Sequence, residues 1–227
     1  MTRIMQGALD FQNRVHADKK ELFERLGQGQ HPLALFITCS DSRISPDLLA
    51  QAEPGQLFVL RNAGNIVPPY GTVGGGEDAT IEYAVKNLKV RDVILCGHAK
   101  CGAMHGLLHP EDLGGLPSVA KWVSHSRSVL DLLGDAPADP EERLTWAVEQ
   151  NVLAQMGHLH THPTVKEALE ARTLRLHGWV YDFERGLVTV YDGVAGKFVP
   201  LLDSLRKKML DDAEDKGGPR SEWQKRG

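Results

Sequence analysis

Three short apolar runs set the frame for this chain: LALFITC at 33–39, LFVLRN at 57–62 and VRDVILCGH at 90–98. Each reads as a strand buried within a sheet. Between the second and third, glycines 74–76 precede EDATIEYAVKNLK, where Ile81, Ala84, Val85 and Leu88 fall at i, i+3, i+4 and i+7 of one helical face. Strand, helix, strand in that order implies a right-handed parallel crossover. The expected class is therefore α/β, with a central, mostly parallel sheet flanked by helices.

The rest of the chain is arranged around that unit. Ile4, Leu9, Phe11, Val15, Leu22, Phe23 and Leu26 lie among charges in two helical pieces, an N-terminal arm over 1–30 that packs on something else. Val119, Trp122 and Val123 begin a further helix; Leu144, Ala147, Val148 and Val152 mark another after the DAPADP loop. A short helix follows His162-Pro163, and TLRLHGWVYDFERGLVTVYDG reads as two strands joined at Glu184–Gly186, a late antiparallel edge pair. The α/β domain thus covers 31–202, and the polar, Gly/Pro-marked segment 203–227 is expected to be a disordered tail.

Composition narrows the function. At 227 residues and 41% hydrophobic the chain has enough apolar matter for one core. A formal net charge of -4 without a basic block excludes a nucleic-acid or anionic-membrane footprint, so a small or neutral substrate fits better. The N-terminus lacks the apolar core of a signal peptide, which points to the cytoplasm. Three cysteines, Cys39, Cys96 and Cys101, are too few for a disulfide framework and leave metal binding or thiol chemistry as the alternative.

Two motifs carry that chemistry, Cys39-Ser40-Asp41-Ser42-Arg43 and Gly97-His98-Ala99-Lys100-Cys101-Gly102, each directly behind a buried strand. Residues just past the carboxyl ends of neighbouring parallel strands converge on one crevice. Two thiolates and an imidazole suit Zn²⁺ and leave the fourth tetrahedral position for water, as in catalytic sites. His-x-x-Cys alone is equally compatible with core cysteines and a loop histidine. Asp41 and Arg43 change the balance: paired to the guanidinium, the carboxylate stays ionised, off the metal and aimed at its water.

Cys-x-Asp-x-Arg followed by His-x-x-Cys resembles the signature of the β-class carbonic anhydrases. The likeness extends from about residue 3 to 202, through PGQLFVLRNAGNIVPPYG, IEYAVKNLKV and LHGWVYD, and is strongest to the plant-like and cyanate-operon branch. It implies reversible hydration of carbon dioxide to bicarbonate and a proton by zinc-bound hydroxide, with one zinc per subunit on Cys39, His98 and Cys101. It also implies a substrate pocket from Gln30, nine residues before the first cysteine, Phe58, nineteen after it, and Tyr83, fifteen before the histidine. The backbone of Gly102 joins that pocket, and His105 is a candidate proton shuttle. Members are built from dimers, with the arm laid on the partner and pocket residues crossing the interface, so a homodimer or larger homo-oligomer is expected. A second branch binds inhibitory bicarbonate with a tryptophan, an arginine and a tyrosine; this chain has Arg61 and Tyr181 but Phe36 in place of the tryptophan, which implies a site that stays open.

Other features carry less. Cys96 reads as a core thiol. The run His158-Leu159-His160-Thr161-His162 sits at a helix end and reads as structural. Glycines 74–76 are not followed by the Lys-Ser or Lys-Thr of a phosphate loop. Two rival functions remain at this level: hydrolysis of a related molecule such as carbon disulfide, and a zinc-stabilised assembly protein.

Overall fold

The computed structural model describes residues 1–215. Its arm comprises α1 (Thr2–Asp10), a π-turn (Phe11–Val15), α2 (His16–Asp18) and α3 (Lys20–Leu26), with no residue buried in any of them. Lys19, at φ -113° and ψ 22°, breaks the arm into the two pieces expected. Phe11, His16 and Phe23 cluster on the arm itself, His16 stacking on Phe23 at 4.9 Å between centroids. Ile4, Met5 and Leu9 face outward.

The domain proper follows as β1 (Ala34–Cys39), α4 (Pro46–Ala50), β2 (Leu57–Asn62), α5 (Gly76–Glu82), β3 (Asp92–His98), α6 (Gly102–Leu108) and α7 (Pro117–Val123). After these come α8 (Pro140–Leu159), α9 (Pro163–Glu170), β4 (Arg175–Asp182), β5 (Leu187–Asp192), β6 (Lys197–Pro200) and α10 (Leu201–Asp215). The six strands form one sheet in the order β2-β1-β3-β4-β5-β6. β1 pairs in parallel with both β2 and β3, and β3 in parallel with β4.

The hairpin expected around Glu184–Gly186 is present, but its first strand belongs to the parallel part of the sheet. The antiparallel edge is β5 with β6, a four-residue strand too short to carry a readable pattern. Which way a strand runs depends on its connection, and α8 and α9 supply a crossover from β3 to β4. Residues 203–215, expected to open a disordered tail, continue α10; the remainder of that tail lies outside the described residues.

The core lies where α8 meets the sheet. Asp139 caps the helix by accepting from the N–H groups of Glu141 and Glu142, both at 3.0 Å, and Pro140 occupies the first turn. Gly97 on β3 and Gly178 on β4 admit it closely. A Cβ on Gly97 would stand 2.8 Å from Val148 Cγ1, and one on Gly178 2.7 Å from Met156 Sδ. The apolar residues packed there include Leu95, Ala147, Val148, Val152 and Leu159.

Candidate metal centre

Strand register brings the two motifs together. Thr38 is level with Cys96 across β1 and β3, so Cys39 and His98 leave the sheet at the same end, and Cys101 follows in the turn into α6. Lys100 takes φ +54° in that turn. Cys39 Sγ, Cys101 Sγ and one ring nitrogen of His98 all lie within 4.8 Å of one another, and all three residues are buried. Among the described residues this is the one such cluster of three.

The imidazole is oriented for ligation. His98 Nδ1–H donates to the Ala99 carbonyl at 2.8 Å, which leaves the Nε2 lone pair facing the two sulfurs. That Nε2 is buried and has no hydrogen-bond partner. A buried, unsatisfied acceptor costs about 1–3 kcal/mol, and a metal on it removes the cost. The donor set of two sulfurs and one imidazole nitrogen fits zinc with one position left over.

The sulfurs differ in proton affinity. With Cys101 as hydrogen-bond donor, and help from the Gly64 N–H, Cys39 is lowered to about 4 despite its burial. The same contact, burial and the Cys39 charge push Cys101 well up. A cation is what allows both to be thiolates.

Asp41 and Arg43 form the bidentate pair that their spacing indicates. Arg43 Nε donates to Oδ1 at 2.9 Å and Nη2 to Oδ2 at 2.6 Å, while the Arg43 backbone N–H donates to Oδ1 at 2.9 Å. These bonds hold the Asp41 carboxyl far below the ordinary carboxylate range. Its Oδ2 lies 3.9 Å from His98 Nε2. Arg61 grips the same loop from β2, donating to the carbonyls of Cys39 at 3.0 Å and Asp41 at 2.7 Å. Phe36 is fully buried against Trp179.

The expected pocket residues fall into two groups. Gly102 opens α6 beside the cluster, with nothing within 4 Å of where a Cβ would stand. Phe58 and Tyr83 meet each other at 5.9 Å between centroids, but at the other end of the sheet. Phe58 is level with Leu35 and Asn62 with Cys39, a separation of about 13 Å along the strand. Gln30 is exposed in the loop that enters β1, near that same end. One chain therefore does not bring Gln30, Phe58 and Tyr83 to its own cluster. His105 is half exposed on α6, with Nδ1 3.6 Å from Asp112 Oδ2 and its ring 4.7 Å from that of His109.

Several supporting residues escaped the motif reading. The Gly64 N–H donates to Cys39 Sγ at 3.3 Å, and the Gly64 carbonyl accepts from Asn151 Nδ2 at 3.0 Å. Gln155 accepts from the Val67 N–H at 2.9 Å, and His158 Nδ1–H donates to the Val67 carbonyl at 2.8 Å. His162 Nε2–H donates to the Pro68 carbonyl at 3.1 Å. The signal was present in the sequence: Asn151 and Gln155 fall on the apolar face marked by Ala147, Val148 and Val152. The histidine run, read as structural, fastens the 63–70 loop, and Cys96 is a core thiol pushed up to about 12 by burial.

A carbonic anhydrase family model matches residues 34–188, which include the ligand cluster and the Asp41–Arg43 pair. The solved structure of the β-carbonic anhydrase CcaA superposes with a TM-score of 0.85 at 44% identity, over 88% of this chain and 91% of that one. The chain belongs to the β-carbonic anhydrase family. Among its relatives, the carbonic anhydrase of Pseudomonas aeruginosa is 47% identical over 89% of this chain and 93% of its own. Carbonic anhydrase 1 of Escherichia coli O157:H7 is 44% identical over 91% of this chain and 94% of its own. A tetrameric β-carbonic anhydrase of Sordaria macrospora superposes at TM-score 0.76 with 31% identity, over 87% and 98% of the two chains. Carbonic anhydrases interconvert carbon dioxide and bicarbonate, and this one has a Cys-His-Cys group able to hold a metal.

Proposed function

We propose that the chain hydrates carbon dioxide reversibly at one zinc ion per subunit, held by Cys39, His98 and Cys101. The observation that carries this is the buried, partnerless Nε2 of His98 facing two buried sulfurs. When bound, zinc supplies a Lewis acid that brings the pKa of its water from about 15.7 to about 7. Asp41, held ionised by Arg43, accepts the hydrogen bond that orients the attacking water. Gly102 lets the substrate approach the main chain, and His105 carries the released proton to solvent.

The pocket is completed across a subunit interface. Gln30, Phe58 and Tyr83 stand at the wrong end of their own sheet to serve their own cluster, and the arm exposes Ile4, Met5 and Leu9. These features, with the tetrameric Sordaria relative, support a homodimer or larger homo-oligomer in which each copy lends Gln30, Phe58 and Tyr83 to a neighbour. No described helix is long and apolar enough to cross a membrane. Three buried cysteines without a disulfide fit a reducing compartment, the cytoplasm.

The test pairs a zinc count with stopped-flow hydration. Asp41→Ala should retain one zinc per chain and lose about 10²-fold or more in turnover, the usual contribution of a positioned proton acceptor. Cys101→Ala should lose zinc and activity together. Unimpaired hydration by Asp41→Ala would refute the assignment.

A further inference from the structure

The turn between β4 and β5, Phe183–Gly186, leans over the Asp41–Arg43 pair. The Phe183 ring centroid lies 4.4 Å from Arg43 Cζ and 6.4 Å from the centroid of His98. Beside it, Glu184 Oε1 receives Lys100 Nζ at 2.7 Å, while Arg43 Nη2 donates to the Lys100 carbonyl at 3.2 Å. The turn is itself constrained: Asp182 Oδ1 accepts from the N–H groups of Glu184 at 3.0 Å and Arg185 at 3.2 Å, and Gly186 takes φ +65°. At the end of β4 the Tyr181 carbonyl accepts from the Ala99 N–H at 2.9 Å. One turn thus contacts both loops that carry the metal ligands.

Arg43 needs such a contact. Its side chain is 46% exposed, against 15% for Asp41, and a long side chain in solvent has many rotamers that would break the bidentate fork. A guanidinium offers its edge to a carboxylate and its face to an aromatic ring, and the two do not compete. Here the edge is on Asp41 and the ring is on Phe183.

We propose that Phe183 is a positioning residue for the hydration reaction: its ring holds the Arg43 guanidinium edge-on to Asp41, which keeps that carboxylate aimed at the reacting water. Glu184 anchors the turn through Lys100. This rests on the role given to Asp41 and Arg43 above and extends it to a residue outside both motifs.

The test compares Phe183→Leu, which fills space without a π face, with Phe183→Tyr, which keeps one, in the assembled zinc-loaded protein. A cation–π contact of this exposure corresponds to about a two- to fivefold effect, so kcat/KM for carbon dioxide should fall by that factor in Phe183→Leu and recover in Phe183→Tyr. Zinc should stay at one per chain in both. In an Arg43→Ala background Phe183→Leu should cost nothing further, because the contact is already gone. Independently of activity, the ¹H–¹⁵N correlation of Arg43 Nε should be slow to exchange in the parent and in Phe183→Tyr, and lost in Phe183→Leu. Full kcat/KM with an intact Arg43 signal in Phe183→Leu, or multiplicative losses in the double variant, would overturn the proposal. Should Asp41→Ala prove fully active, the functional reading fails, while the Arg43 signal still decides whether Phe183 holds the guanidinium.

Discussion

Cys39 and Cys96 lie on adjoining strands and have opposite chemistry. Cys39 is lowered to about 4 by Cys101 and the Gly64 N–H, whereas Cys96, wholly desolvated, is pushed up to about 12. In metal-free protein at pH 7, iodoacetamide should modify Cys39 first and reach Cys96 only on denaturation, which peptide mass spectrometry resolves. Asp41 gives a second prediction. Its carboxyl is held below the ordinary 3.8 by Arg43. Its pairing therefore contributes fully above that ordinary value and is lost only as pH falls through the lower folded value. The ¹³C carboxyl resonance of Asp41 should not titrate between pH 4 and pH 8. An acid limb of activity near neutrality then belongs to another group.

At the scale of elements, α8 is the support on which the centre rests. Asn151, Gln155 and His158 bond the 63–70 loop, and through Gly64 that loop donates to Cys39. Gln155→Leu strands the buried Val67 N–H, which costs about 1–3 kcal/mol; a lowered thermal midpoint at unchanged zinc stoichiometry checks it. Gly97→Ala forces a methyl against Val148 and Val152 and should destabilise by about 1–3 kcal/mol. Much of this level was legible. Short apolar runs and the period-3.6 face at 81–88 gave the parallel core, and the DAPADP loop marked where α8 would begin. What the patterns could not give was partnership. The polar residues on the apolar face of α8 announce a buried network but not which loop it binds, and β4 reads alike whether its neighbour is parallel or antiparallel. Phe183 was invisible because its contact with Arg43 joins positions far apart in the chain.

At the scale of the whole molecule, the Cys39–His98–Cys101 cluster and the Asp41–Arg43 pair are complete within one chain, while the side chains proposed for the pocket lie towards the far end of the sheet. The spacings that identify Gln30, Phe58 and Tyr83 say nothing about which copy's cluster they serve. Subunit mixing separates the cases. A chain with Cys101→Ala and a chain with Tyr83→Ala, each impaired alone, should regain part of the hydration rate when reassembled together, because mixed pairs contain one site with both halves intact. No recovery would place Tyr83 with its own chain's zinc.

The tie between Cys39 and α8 also has a consequence for how the protein is made. Cys39 emerges early in synthesis, but the Gly64 carbonyl waits for Asn151, and the β4 strand that adjoins His98 begins only at Arg175. With so much sequence between partners, the centre forms late by the logic of loop closure. A nascent chain presents Cys39 as an ordinary accessible thiol well before Asn151 and Arg175 have been made. Acquisition of the proposed zinc is thus an event of the nearly finished polypeptide, and an oxidant acting during translation would find Cys39 before the metal does.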